Sequence, residues 1–442
     1  MNSRRRADPY TVKRRHQRYT IQWLLTRQWL LTQMLGHYRK GNFMLARLRV
    51  VLLATCSFAG SVGVAHAADQ APVHITVISD LDDDLYDARS GRGGVDATRM
   101  AVADFGGTVL GRPVIVDALN DHNKPAEAPG LATQAYDAGA DLLMDVQNSP
   151  IALAIAKVAN ERHKLAISTG SAAPGLTRGA CSRYVYHYSF DLPAIQTTTA
   201  DYLAQTAQGK RWVFISDDSG FGRSGLATMT PFIAAHGGQV IKSYLTPPAT
   251  SDYAPILDEI RGLNPGVVAV INAGAKGDDG VSAVTGAGLP AITTMSLLYL
   301  SDVDRVQTGY AGVEAAVPWY WNLDAAARAW SDRFAAAHNG NRPTETQAAD
   351  YSATTQWLNA VRAAGTTDAD AVIKALDGHK FNDLFAHNGE FRAGDHMVVH
   401  DLYVVKVRTP AELPEPHAWY DVLATVPAAT AFTAGTECKM TQ

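Results

Sequence analysis

The residues whose types and spacing could do chemistry fall in a few Gly- and Asp-punctuated loops. The first, Asp80-Leu81-Asp82-Asp83-Asp84-Leu85-Tyr86, follows a β-branched strand and precedes a helix that opens on Gly91-Arg92-Gly93-Gly94. Carboxylates clustered this way repel an incoming carboxylate and favour an amine, a hydroxyl-rich solute or a cation. The plainer reading of the same run is a solvated acidic rim. Its Asp80-x-Asp82-x-Asp84 spacing matches the start of a calcium loop, but Leu85 replaces the required Gly and Gly91 stands where a closing Glu is needed, which argues against calcium. A second candidate is Ser219-Gly220-Phe221-Gly222, an aromatic in a Gly-flanked loop, placed either to touch a ligand or to pack at a cleft rim. His387, His396 and His400 are grouped, yet no Cys or carboxylate cluster has matching spacing, so surface or hairpin histidines are the expectation and no metal is called for. The chain contains no G-x-S-x-G elbow, Walker A loop, H-E-x-x-H helix or complete G-x-G-x-x-G fingerprint, and no nucleophile, base and orienter can be assembled. A secreted hydrolase is the weakest reading, and no cofactor is expected.

The elements that must position these loops begin after a leader. Arg47 and Arg49 form a basic n-region, Val50 to Val64 is mostly apolar and small, and Ala65-His66-Ala67 has the small-x-small form of a cleavage site. Residues 1–67 are therefore read as leader and signal peptide, with cleavage near Ala67/Ala68 and an exported, periplasmic product. Residues 1–43 exceed a normal n-region, and a true start at Met44 is the simpler account of them. The full chain carries a formal charge of −4; residues 68–442 hold 27 Lys/Arg against 42 Asp/Glu, a net of −15. Such a surface argues against nucleic acid or anionic membrane as partners. Of the three cysteines, Cys181 and Cys438 remain after cleavage, and an even count in an exported chain favours a disulfide that ties the tail back to the body.

Along the rest of the chain apolar strands alternate with helical periodicity. Strands are expected at 74–78, 113–118, 142–146, 165–168, 211–216, 240–245, 267–272, 292–297 and 313–318. Helices are expected at 95–105, 129–137, 151–162, 222–236, 254–263, 280–288, 325–339, 345–364 and 369–377. This order implies an α/β fold of parallel sheets with helices on both faces, and the strand count favours two lobes over one sheet. In such sheets ligands sit outside the carboxyl ends of the strands, so the post-strand loops carry the function.

ITVISDL, GGVDATRMAVADFGG, Lys124-Pro125 after an Asp/Asn-rich bend, DVQNSPIALAIAKVA, ISTGSAAPGLTRGAC and ISDDSGFGRSGLATM occur in that order. Together they resemble the type I periplasmic binding proteins of the branched-chain amino acid class, solute receptors of ABC importers. The resemblance runs from about Val73 to the tail. It implies two doubly wound parallel-sheet lobes joined by three crossovers, near Phe190, Trp319 and Glu390, closing on solute by hinge motion. One lobe would comprise 68–190 plus 319–389, the other 191–318 plus 390–442. It further implies that Asn148 and Ser149 hold a solute carboxylate, that Gly170, Ser171 and Ala172 contact it through N–H and hydroxyl groups, and that Phe221 covers it from the second lobe. Trp319, Tyr320 and Trp321 would be a packed hinge, or a stacking wall for a cyclic solute.

The departures bear on the ligand. Asp82, Asp83 and Tyr86 stand in the loop where relatives carry a Thr-Gly or Ser-Gly pair. The acidic residue that relatives use for an amino acid's ammonium is replaced by Leu297-Leu298, and the loop after 267–272 reads Ala273-Gly274-Ala275 with no Tyr. An ammonium would then lack a buried partner, a cost of about several kcal/mol. Either Asp82 or a neighbour takes over, or the solute is an apolar or aromatic carboxylate without an amine. The function expected is a monomeric receptor that captures a small organic solute and delivers it to a membrane permease and ATPase; a free-standing sensory binding protein is the alternative.

Overall fold

The computed structural model describes residues 71–82, 84–145, 147–247, 249–272, 274–434 and 437–440, and of Asp84 and Leu85 the backbone alone. The expected leader, its cleavage site, Asp83 and Ala273 lie outside the described residues. A six-stranded sheet has the order β2-β3-β1-β4-β5-β6, formed by β1 (Val73–Ser79), β2 (Thr108–Val109), β3 (Arg112–Asn120), β4 (Leu142–Asp145), β5 (Leu165–Ser168) and β6 (Val185–His187). All but β2 run parallel. Every residue of β1, β4, β5 and β6 is buried, as continuous apolar runs must be when helices cover both faces. A second sheet has the order β10-β9-β7-β8, from β7 (Arg211–Asp217), β8 (Gln239–Thr246), β9 (Val267–Ile271) and β10 (Ile292–Met295), again parallel. The α/β fold in two parallel-sheet lobes is the one expected.

The helices are α1 (Asp84–Arg89), α2 (Gly91–Asp104), α3 (Ala128–Asp137), α4 (Ser149–Arg162), α5 (Leu192–Ala204), α6 (Gly220–Ala235), α7 (Ala254–Leu263), α8 (Ala275–Gly286), α9 (Leu300–Val306), α10 (Ala325–Ala337), α11 (Glu345–Ala364) and α12 (Ala369–Leu376). Three of them were not expected. α1 and α9 lie in segments read as loops, and both are too short to show periodicity. α5 contains Thr197-Thr198-Thr199, a β-branched run of low helix propensity. Context overrides propensity: Asp191 caps the helix by accepting from Ala194 N, and Thr197 and Thr199 donate back to the carbonyls of Pro193 and Ile195.

Two antiparallel sheets complete the chain. β11 (Glu314–Val317) pairs with β15 (Leu402–Val407), which pairs with β16 (Tyr420–Val426). β12 (Lys380–Phe381), β13 (Gly389–Phe391) and β14 (Val398–Val399) form the other. Of the histidines expected at the surface or in hairpins, His387 is partly exposed and His396 lies in the β13–β14 hairpin, but His396 and His400 are buried. His396 stacks on Tyr186 at 4.1 Å and is buried against Asp377, while His400 is buried between the carbonyls of Ser189 and Asp401. His387 bridges Asp324 and Tyr403. No cluster able to hold a metal occurs among the described residues. Trp319, Tyr320 and Trp321 are buried, the two indoles donating to the carbonyls of Leu384 and His417. Cys181 and Cys438 form the expected disulfide, with Cα atoms 5.6 Å apart.

The first lobe also buries two carboxyl groups against each other. Ser90 Oγ lies 2.8 Å from Asp145 Oδ2 and 3.0 Å from Asp350 Oδ2, and Thr169 Oγ1 reaches Asp350 Oδ1 at 2.5 Å and Asp145 Oδ1 at 3.4 Å. Each hydroxyl has one proton to donate, so the remaining contacts need a proton on an acid. Burial raises Asp145 to about 7, against the nearby Ser79 hydroxyl and the hydrogen bond from Ser90; burial and then the Asp145 charge raise Asp350 well above the carboxylate range. The Gly93-Gly94 fragment is explained here. A Cβ on Gly94 would stand 2.2 Å from Ser90 Oγ and 2.6 Å from Asp350 Oδ2, so these glycines serve helix packing and not phosphate.

Two outcomes follow from this packing. Between about pH 4, where an unfolded Asp titrates, and pH 7, the native pair holds more protons than the unfolded chain, so stability falls as pH rises. The slope is about 1.4 kcal/mol per pH unit for each proton. Asp350→Asn, which supplies permanent donors, should flatten that slope in urea melts at pH 5, 6, 7 and 8; an unchanged slope would contradict the shared proton. Cys181→Ser should lower the unfolding free energy by about 2–4 kcal/mol, and reductant should then have no further effect on the melt.

Candidate functional site

Sheet order locates the site before any side chain is considered. In the first sheet the order reverses between β1 and β4, in the second between β7 and β9, and ligands bind in the crevice outside the strand ends at such points. The loops after those four strands meet around a cavity of about 180 Å³.

The first lobe contributes Tyr86, Arg89, Gln147, Asn148, Ser149, Pro150, Gly170 and Ala172. The second contributes Phe221, Asn272, Gly274, Gly277, Met295, Leu297, Tyr299, Asp302 and Tyr310. Of the residues singled out from sequence, Tyr86, Asn148, Ser149, Gly170, Ala172, Phe221 and Gly274 are thus brought together. Ser171 is not among the lining residues; its buried hydroxyl accepts from Ala173 N and donates to Ser149 Oγ. Nor is Asp82. It is exposed and engaged sideways, by Asn120 Nδ2 at 2.6 Å and His122 Nδ1 at 2.9 Å, as a solvated rim would be.

Local structure explains how the loops face the cavity. α4 begins at Ser149 with Pro150 inside its first turn, so its free backbone N–H groups point toward the strand ends. α6 begins at Gly220 behind a Ser219 cap that accepts from Gly222 N. A Cβ on Gly222 would lie 2.1 Å from the Asp217 carbonyl, so only glycine lets Phe221 turn out at this point.

The site residues that sequence reasoning missed are Arg89, Gln147, Asn272, Tyr299, Asp302 and Tyr310. Arg89 Nη2 donates to Asp302 Oδ2 at 2.7 Å across the two lobes, and the guanidinium lies 4.1 Å from the Tyr299 ring and 5.5 Å from that of Tyr86. Burial pulls the Arg89 pKa down, but the Asp302 charge and then Tyr299 outweigh it and raise it. Asp302 Oδ1 accepts from Arg305, which also binds Asp278, and Asp278 accepts from Tyr310. Burial raises Asp278, against the bonds from Tyr310 and Arg305. Glu345, at the start of α11, accepts from the backbone N–H of Leu300 in the other lobe, yet burial lifts it to about 8, leaving it largely protonated at neutral pH. Arg89 and Asp302 are 213 positions apart and show no joint pattern; the only signal was their type, each a charge beside a Tyr.

Several lining residues hold buried polar atoms with no partner: Arg89 Nε, Gln147 Nε2, Asn148 Oδ1 and Asn272 Oδ1. Buried groups left this way cost free energy unless a ligand or water completes them. A larger cavity of about 720 Å³ includes Asp87, Arg92, Arg342, Asp304 and His417, but these charges are already joined, Arg92 to Asp87, Arg342 to Asp332 and His417 to Asp304. Among its lining residues one buried polar atom, Ser301 Oγ, is without a partner, against four in the smaller one.

Comparison with known proteins agrees with this geometry. The periplasmic binding protein family profile matches residues 72–412. A periplasmic binding protein from Burkholderia mallei is 34% identical over 83% of this chain and 97% of its own, with a TM-score of 0.75. A branched chain amino acid ABC transporter periplasmic ligand-binding protein from Burkholderia xenovorans LB400 is 30% identical over 81% and 96%, with a TM-score of 0.77. A solute binding protein of an ABC transporter from Rhodopseudomonas palustris, in complex with benzoate, shares the fold at 20% identity, over 84% and 100%, with a TM-score of 0.71. No curated protein matches the chain significantly. No helix among the described residues is long and apolar enough to cross a membrane. The chain belongs to the periplasmic binding protein family, type I, a family of solute receptors and not of enzymes.

Proposed function

We propose that this protein is the periplasmic receptor of an ABC importer, capturing a small organic solute between its lobes and presenting it to a membrane permease. The solute is an apolar amino acid or an apolar or aromatic carboxylate. The observation that carries this reading is the cavity between two sheet switch points, walled by Tyr86, Phe221, Tyr299, Met295 and Leu297 and holding four buried polar atoms without partners. A mostly apolar pocket with a few convergent polar groups is built to hold an amphipathic small molecule, and capture asks only for tighter binding by the closed form. Ser149 N and the Gly170–Ala172 backbone are the donors for the solute's anionic end, at the start of a helix whose dipole favours it.

The lobes that go with this reading are 68–190 with 319–389, and 191–318 with 390–442, changed at one boundary. Glu390 pairs with Lys380 and Val399 inside the small antiparallel sheet, so the third linker is better drawn at His400–Asp401, between β14 and β15. The leader at 1–67 would deliver the chain to the periplasm.

Thermal unfolding of the purified protein against amino acids, aliphatic and aromatic acids, amides and polyamines tests the proposal. A true solute raises the melting temperature by linkage and is recovered unchanged. Turnover of the stabilising compound, or no stabilisation by any small molecule, would remove the reading. Phe221→Ala should weaken binding about 10–100-fold, the scale of one aromatic wall, with little change in the unliganded melt.

A further inference from the structure

Resting on that reading, we infer that Arg89, held by Asp302 across the lobes, makes this cavity selective for carboxylates that carry no ammonium. The argument starts from which donors and acceptors are still open. Arg89 has five N–H donors in a fixed fork; among the described residues its side-chain partner is Asp302, through Nη2, and its Nε is buried without a partner. Gln147 Nε2, also at the cavity, is a second buried donor without a partner. Both donors come from the first lobe, whose α4 N-terminus faces the same space. A solute carboxylate finds charge, donors and dipole of the right sign together.

An ammonium finds the reverse. The acid among the lining residues is Asp302, and both of its oxygens are taken, Oδ2 by Arg89 at 2.7 Å and Oδ1 by Arg305 at 3.3 Å. An ammonium reaching Asp302 would share it with two guanidiniums and sit beside both. Of the acids considered for that role, Asp82 is exposed and outside the lining, and Asp83 lies outside the described residues. What remains for a donor on the solute is Asn148 Oδ1 and Asn272 Oδ1, neutral amide oxygens that suit a hydroxyl and do not compensate a desolvated cation. The buried acids nearby reinforce this. Glu345, Asp145 and Asp350 are all held toward their protonated forms by burial, which removes negative charge from behind the loops that face the solute.

The test compares acids that differ only in the amine, by titration calorimetry on the purified protein: 4-methylpentanoate against leucine, and 3-phenylpropanoate against phenylalanine. At least one des-amino acid should bind tenfold or more tighter than its amino acid. Arg89→Gln should abolish that preference. Asp302→Asn, which removes the cross-lobe contact but leaves the guanidinium, should weaken carboxylate binding less than Arg89→Gln does while lowering the melting temperature of the unliganded protein. If leucine or phenylalanine binds as tightly as its des-amino partner, the inference fails and the receptor reading stands. If Asp302→Asn weakens the carboxylate as much as Arg89→Gln does, Asp302 belongs to the solute's site and the inference also fails. Should Arg89→Gln not fold, the paired-ligand comparison on the native protein and the Asp302→Asn result still decide. Stabilisation only by a cation such as a polyamine overturns it; if no small molecule binds at all, it falls together with the receptor reading.

Discussion

A guanidinium cannot give up its proton, and Arg89 is buried at the meeting point of the lobes. Its surroundings are therefore constrained more tightly than any other part of the cavity. An unpaired buried cation would cost more than the fold can spare, so the second lobe must bring an anion to it. Asp302 does so from the first turn of α9, and the Tyr299 ring, just before that helix, covers the guanidinium face. Asp302 in turn needs its second oxygen satisfied, which brings in Arg305, then Asp278 and Tyr310. On the first-lobe side the backbone around Arg89 is clamped by α11: Thr344 Oγ1 donates to the Arg89 carbonyl and Gln347 Nε2 to that of Ser90. One buried charge thus fixes the position of a short helix, the start of two others and three aromatic rings.

The neighbouring acids obey the opposite logic. Arginine must stay charged and be paired; a carboxyl can be buried by keeping its proton. Ser90 and Thr169, each with one hydroxyl proton between two carboxyl groups, can be satisfied only if Asp145 and Asp350 supply the rest. The strands and loops that carry Ser90, Asp145 and Thr169 run directly into the cavity-lining segments at 89, 147–150 and 170–172. A hydrogen-bonded knot that burial holds toward its protonated form lies behind three cavity-lining loops and adds little charge there, and glycines at 93 and 94 allow α11 to approach closely enough to complete it.

Fold and site were not equally legible in the sequence. Buried parallel strands such as VHITVIS and VVAVI are continuous apolar runs, and their alternation with long amphipathic helices reveals parallel-sheet lobes. What failed was local. α1 and α9 are under two turns long, and α5 is held by a cap and tertiary contacts against the preference of three consecutive threonines. In the site, strand-loop-helix order points to the post-strand loops, and the family resemblance to Asn148, Ser149, Gly170 and Phe221 within them. The charges could not be read either way. The acidic run around Asp82 draws attention by its density, while among the described residues the acid that lines the cavity is Asp302, whose partner lies 213 positions away. Density in sequence reports solvation as readily as function; a buried pair is defined by a contact that sequence spacing does not encode.

The pair also shapes the energetics of closing. Because Arg89 and Asp302 belong to different lobes, their contact favours the closed form whether or not solute is present, in opposition to the desolvation of both groups. A solute's apparent affinity is its affinity for the closed form scaled by the fraction of molecules able to adopt it. A solute that engages the open N–H groups of Arg89 and leaves the Asp302 contact intact adds its binding to the closure already favoured. One that draws Asp302 away must first undo a buried ion pair and leave Arg89 exposed to a low-dielectric wall, a loss on the order of 3–5 kcal/mol. On the proposed reading, discrimination then arises from closure as well as from the two guanidinium charges, because only one way of using Arg89 keeps the lobes joined.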